Sequence, residues 1–287
     1  MIELGRNRYG KAAIHLVRVI RDPGGHQVRD LVVAIALEGD FTAAHTDGDN
    51  SLVVATDTMK NTAYALARDH LDGSIEHYGR ALAEHFLQFE QVDQATVNIR
   101  GHLWRSIPVD GRPARDTFVR VGEDVRIATV AATRGGTTTE AGVEDLVVMK
   151  TTRSAFNGFP RDRYTTLPET DDRLMATKIT AIWRYGPADL DFAAAFGEVR
   201  QTLLETFADH DSPSVQTSIW IMAKAILERH EAVEEVRMVL PNLHHWLADL
   251  APFGLTNNGE VYVSTTEPHG LIEATIRRSD IRGEGAR

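Results

Sequence analysis

One order of periodicities occurs twice along this chain, and it restricts the fold more than any single residue does. In the first half, residues 9–21 and 30–37 read as two strands joined across the turn Asp22-Pro23-Gly24-Gly25. A short strand at 52–55 leads into a helix opening at Thr56-Asp57, with Asp57 as N-cap accepting from the exposed first-turn amides. A second helix over 74–89 carries Ile75, Tyr78, Leu82, Phe86 and Phe89 at 3-4-4-3 spacing. Ala95, Val97 and Ile99 then alternate, and beyond the turn Asp110-Gly111-Arg112-Pro113 another strand covers 117–131.

The small, polar, glycine-rich stretch 134–142 is the best linker candidate, and it divides the chain into domains 1–136 and 137–287. After it the order returns. Residues 143–152 read as a strand, and Thr177, Ile179, Ala181 and Trp183 mark a second. Phe192, Phe196, Val199, Leu203 and Phe207 follow at 4-3-4-4 spacing. The next helix opens on Ser212 as N-cap with Pro213 at its first position, and Val215, Ile219, Met222 and Ile226 form its stripe. Val236, Met238 and Leu240, then Ile272, Ala274 and Ile276, close the half as two strands. A doubled ββααββ order predicts the α+β class: a tandem repeat of antiparallel sheets, helices on one face of each. The uncovered sheet face would need burial, which predicts a closed homo-oligomer.

Totals exclude several classes. A formal net charge of -10 argues against nucleic acid as a partner, and the absence of cysteine removes disulfides, thiolate nucleophiles and thiolate metal sites. The first residues lack the apolar core of a signal peptide and no apolar run is long enough to span a bilayer, so a cytoplasmic location without a membrane partner is expected.

Between the two strands of the second half lies a connection too long for a simple hairpin, which is the usual length of a binding loop or lid. It holds Phe156 near its start and Arg173 at its end, a ring to stack on and a planar fork to pair with, suited to a flat, polar, partly anionic ligand. Taken alone, Phe156 reads as core and Arg173 as a loop-pinning ion pair. Two helix starts, Thr56-Asp57 and Val215-Gln216, present free amides that favour anions, or are simply capped. Gln216 offers a donor and an acceptor together, which suits the lactam edge of a purine, or it is a surface glutamine in a first helical turn. Asn242 and His244 share a face of an extended segment, where an imidazole beside an amide could shuttle a proton. His244 and His245 point to opposite faces and no His-x-His or His-Glu-x-x-His spacing occurs, so a metal site is disfavoured. Lys11, after Gly10 on the first strand, reads as a solvated lysine.

These residues fall into motifs. Leu146 through Phe156, with Phe159, Tyr164, Leu167 and Arg173, resembles the signature of cofactor-independent urate oxidase. Val54-Ala55-Thr56-Asp57-Thr58 with Lys60-Asn61, Ser214-Val215-Gln216, and Leu240-Pro241-Asn242-x-His244 resemble three further motifs of that family, and the likeness runs from about Tyr9 to Arg278. The resemblance implies tandem tunnelling-fold (T-fold) domains in a homotetramer with a central barrel. It implies urate and O2 as substrates, and no cofactor. Phe156 would stack on urate, Arg173 and Gln216 would grip opposite edges, and the amides of Thr56, Asp57 and Val215 would meet other ring heteroatoms. Lys11, Thr56 and His244 would handle protons, and Asn242 would hold oxygen or water above the ring. Thr56 would come from one subunit and Phe156, Arg173 and Gln216 from a neighbour. Leu243 is apolar where relatives can carry a polar residue, and the closing Gly283-Glu284-Gly285-Ala286-Arg287 lacks a peroxisomal tripeptide. Two alternatives share the fold type: a zinc-dependent pterin enzyme, and a non-catalytic purine-binding oligomer.

Overall fold

The computed structural model describes residues 2–187 and 189–279; the tail motif at 283–287 lies outside them. The chain forms two compact units, one of Met1–Gly142 with Arg184–Phe196, the other of Val143–Trp183 with Gly197–Arg287.

In the first unit, β1 (Tyr9–Asp22) and β2 (Gly25–Gly39) form an antiparallel hairpin, followed by α1 (Thr42–Thr46), α2 (Thr56–His70) and α3 (Ile75–Phe86). Strand β3 (Val92–His102) pairs with β2. Strands β4 (Trp104–Val109) and β5 (Arg112–Arg120) form a separate hairpin, and β6 (Val125–Thr133) returns to pair with β3 and neighbours β7 (Gly136–Lys150). Alternation decides which face is buried: Leu31, Val33, Ile35 and Leu37 of β2 and Val97 and Ile99 of β3 are buried with Tyr78, Leu82 and Phe86 of α3. Gly79 lets α3 sit close to the sheet, since a Cβ there would stand 2.9 Å from Val130 Cγ2. Tyr78 donates its hydroxyl to the Ala63 carbonyl at 2.7 Å, joining α3 to α2.

In the second unit, residues 143–150 of β7 neighbour β8 (Met175–Tyr185), and α4 (Phe192–Asp209) and α5 (Val215–Arg229) precede β9 (Val233–Leu247). Strands β10 (Tyr262–Thr265) and β11 (Leu271–Arg277) both pair with β9, β11 along 235–241 and β10 along 244–247. Asn242 and Leu243 fall between the two registers. Lys150 Nζ donates to the carbonyls of Ala208 and His210 at 3.3 and 2.8 Å, a cation at the end of α4 where orphan carbonyls and the helix dipole favour one.

The α+β class and the doubled order hold, with β4–β5 inserted in the first half and β10 in the second. Five local expectations are corrected. Residues 52–55 form no strand. The strand expected over 117–131 is broken at 121–124. The stretch 134–142 is no linker: its glycines turn the β6–β7 hairpin, where Thr133 Oγ1 donates to the Gly136 carbonyl at 3.2 Å. Asp57 is not the N-cap of α2. Ala55 occupies that place, no side chain caps the helix, and the Asp57 carboxylate instead accepts from Lys60 Nζ and, at 2.9 Å, from Asn61 Nδ2. Those donors lie one turn on, on the same helix face. The cap of α5 is Ser214 rather than Ser212, its Oγ accepting from Thr217 N at 3.1 Å, so Pro213 precedes the cap.

Candidate active site

The loop between β7 and β8 is closed on itself. Arg173 N donates to the Ser154 carbonyl at 2.7 Å, and Phe156 and Thr170 exchange backbone bonds of 2.8 and 3.1 Å. Asp172 accepts from Thr152 Oγ1 at 2.7 Å and from Ser154 N at 3.4 Å. The Thr152 hydroxyl above all, then backbone N–H groups, holds this carboxyl below its ordinary range.

That closure stacks Arg173 on Phe156, its guanidinium carbon 5.2 Å from the ring centroid. Phe156 is itself stacked on Phe159 at 4.9 Å and 14°. Arg173 has no carboxylate partner among the described residues, and its Nε is buried without a hydrogen bond. Burial lowers the pKa of this guanidinium. The loop-pinning ion pair, one reading of Arg173 from sequence, is thus absent here; Asp172 does the pinning.

From β9, Asn242 and His244 meet the same space. Asn242 Nδ2 lies 3.5 Å from His244 Nδ1, and the His244 ring stacks on Trp246 at 5.4 Å and 18°. Burial, then the charge of Arg173, then His269 and His245, hold His244 below the ordinary imidazole value, so its neutral form is favoured. Phe156, Arg173, Asn242, His244, Trp246 and Tyr262 line one cavity of about 530 Å³, within the size range of small-molecule sites.

Val215 and Gln216 do not line that cavity. Val215 is buried and Gln216 exposed, at the start of α5. They are tied to the loop through Ser212, whose N–H donates to the Arg153 carbonyl at 2.9 Å while its carbonyl accepts from Ala155 N at 2.8 Å.

Lys11, Thr56 and Asp57 belong to the first unit. The Tyr9 hydroxyl donates to the Val54 carbonyl at 3.1 Å and accepts from Val54 N at 2.8 Å, anchoring the approach to α2 beside the start of β1. A β-bulge follows Lys11: Lys11 pairs with Ile35 and Ile14 with Val33, with Ala13 at φ 53° between them. Gly10 permits the close approach there, because a Cβ would stand 1.8 Å from the Ile35 carbonyl oxygen. The Asp57 carboxyl is held low by Lys60 first, with Lys11 contributing, so the lysine's charge reaches the helix start. The uncapped first turn leaves the Thr56 and Asp57 amides available for an anion.

Sequence reasoning passed over Trp246 and Tyr262. Trp246 had a readable signal, sitting two places beyond His244 and hence on its face; Tyr262 lies on a four-residue strand too short for periodicity to mark. Among the described residues no three His, Asp or Glu side chains are placed to hold a metal ion, and no helix is long and apolar enough to cross a membrane.

The family model described as Uricase matches residues 7–131 and 139–273. The uricase of Arthrobacter globiformis is 43% identical over 284 residues, covering 99% of this chain and 92% of that protein. The uricase of Dictyostelium discoideum is 39% identical, covering 98% and 100%. The crystal structure of the Arthrobacter enzyme superposes with a TM-score of 0.93 over 99% of this chain and 98% of that one. Urate oxidase from Bacillus sp. TB-90, at 23% identity and a TM-score of 0.80 over 95% of this chain and 100% of that one, shares the fold.

Proposed function

The chain belongs to the uricase family, and from that membership we propose that the cavity of Phe156, Arg173, Asn242 and His244 is where it oxidises urate. The activity is that of a urate oxidase: urate, O2 and water give 5-hydroxyisourate and hydrogen peroxide. The relatives favour neither a zinc-dependent pterin enzyme nor a non-catalytic purine binder.

One observation carries the site assignment: a half-buried Arg173 whose buried Nε has no hydrogen bond among the described residues, stacked on Phe156, in the same cavity as the Asn242–His244 pair. Leaving a buried donor unpaired is costly, so Arg173 is poised for an acceptor from outside the chain. Urate is a planar anion, and its carbonyl and deprotonated nitrogen edge suits a two-pronged donor. In this reading its ring lies on Phe156. Gln216 takes the opposite edge with its amide, and the Val215 N–H meets a ring heteroatom.

The chemistry then needs protons moved and little else. Removing a second proton from urate raises its electron density until it can pass an electron to O2. Lys11, brought to a subunit interface and desolvated, is the base, and the Thr56 hydroxyl relays the proton. The Thr56 and Asp57 amides contact the ring. Asn242 holds O2 or water over the ring, and neutral His244 exchanges the proton that accompanies oxygen addition. The two groups of residues belong to different units. We infer that Lys11, Thr56 and Asp57 of one protomer complete the cavity of a neighbour in a homotetramer whose sheets close as a barrel. Residues 1–136 and 137–287 serve as the two halves of the repeat.

Anaerobic titration with urate tests the assignment. Arg173→Ala should shift the binding midpoint to much higher urate concentration than in the wild type. Unchanged binding would place urate elsewhere.

A further inference from the structure

Between the end of α4 and the first turn of α5 runs a row of polar groups that the reaction does not use: half-buried His210 and the buried Ser218 and Ser212. His210 Nδ1 lies 2.7 Å from the Thr206 carbonyl. A carbonyl only accepts, so Nδ1 carries the hydrogen and Nε2 is left as an acceptor. Nε2 is 2.7 Å from Ser218 Oγ, which must donate to it. Ser218 Oγ in turn lies 2.8 Å from Ser212 Oγ and accepts from it. Ser212 and Ser218 are 1% and 0% exposed. With neutral His210 taking the Ser218 hydrogen, Ser218 Oγ is left to accept from Ser212 Oγ, which also lies 3.2 Å from the Ser214 carbonyl.

The row ends on the residue that joins the two ligand-bearing segments. Ser212 bonds by its backbone to Arg153 and Ala155 at the start of the loop, and stands two places before Ser214, the cap of α5. Arg173 is fastened to the same loop start at Ser154. A shift at Ser212 would move Phe156 and Arg173 relative to Val215 and Gln216.

We propose that His210 is a positioning residue for urate binding, holding the Phe156–Arg173 loop in register with the start of α5 through Ser218 and Ser212. The proposal rests on the cavity being the urate site. A polar row of this kind specifies one arrangement only while every member is satisfied, and His210 accepts from Ser218 only while neutral. Burial favours that state most, against the Thr206 carbonyl, which favours the imidazolium; from β7 and the following loop the charges of Lys150 and Arg153 add to the neutral state, against Asp211.

The test measures KM and kcat separately in the full-length protein. Ser218→Ala, which deletes one hydroxyl, and His210→Phe, which fills the space without an acceptor, should each raise KM for urate by roughly tenfold with kcat within about twofold. His210→Gln, which keeps an acceptor, should recover most of the KM. Arg173→Ala is measured alongside. If Arg173→Ala raises KM while Ser218→Ala leaves it within about twofold of wild type, the positioning role is overturned and the site stands. If Arg173→Ala leaves KM unchanged, the site assignment falls and the proposal with it. Should His210→Phe not fold, Ser218→Ala decides. A fall in kcat equal to the rise in KM, without recovery in His210→Gln, would mark general damage and overturn the proposal.

Discussion

The guanidinium carbon of Arg173 stands 5.2 Å from the centroid of the Phe156 ring, with its buried Nε making no hydrogen bond among the described residues. A stacked, planar fork of this kind is not replaceable by a flexible ammonium. Arg173→Ala should weaken urate binding by about 2–3 kcal/mol, the loss of paired charge-assisted hydrogen bonds. Arg173→Lys should recover less than half of it. Steady-state KM and anaerobic titration check both.

Arg173 also acts on His244 by its charge. Burial and that charge hold the imidazole below its ordinary value. A depressed folded-state value means that the contribution of the neutral form to stability is complete above the unfolded-state value, about 6.5, and is lost as pH falls through the lower folded-state one. NMR titration of the free protein should therefore place the His244 midpoint below that of an unstructured histidine. In Arg173→Gln the midpoint should move up. A midpoint at or above the ordinary value in the wild type would contradict this geometry.

Catalytic and binding groups should separate kinetically. Lys11→Ala and Thr56→Ala should each lower kcat by about 10²–10⁴-fold, the usual contribution of one acid–base group, with KM changed far less. Unchanged turnover in Lys11→Ala would remove it as the base.

Inside the first unit, Arg126 Nη2 bonds both carboxylate oxygens of Glu76 at 2.9 and 2.8 Å, with the acid fully buried. Arg126→Met would leave a buried charge unpaired and should destabilise by about 3–5 kcal/mol. Adding Glu76→Leu should restore most of the loss. Denaturant unfolding of the single and double variants measures it.

Much of this was legible along the chain because the two repeats carry clean periodicities and because Phe156 and Arg173 flank one long loop. The helix starts were not. Ser212 and Ser214 flank Pro213 alike, and only folding shows that Ser212 turns inward to Ser218 while Ser214 caps the helix. Asp57 has a capping residue's chemistry, but Lys60 and Asn61 one turn on take its oxygens. Residues 134–142 have a linker's composition because a tight hairpin turn needs the same small residues. Tyr262 reaches the cavity through the pairing of β10 with β9, a register that the motif's letters do not carry.

The composite site is tested most directly by hybrid oligomers of Lys11→Ala and Arg173→Ala. Each parent lacks one group, one from either unit. If a site takes Lys11 from one protomer and Arg173 from its neighbour, random mixing rebuilds about a quarter of the sites. Urate-dependent oxygen uptake should then rise well above either parent, to roughly a quarter of wild type for an equal mixture. Mixed oligomers that form, yet show no more uptake than their parents, would contradict the account.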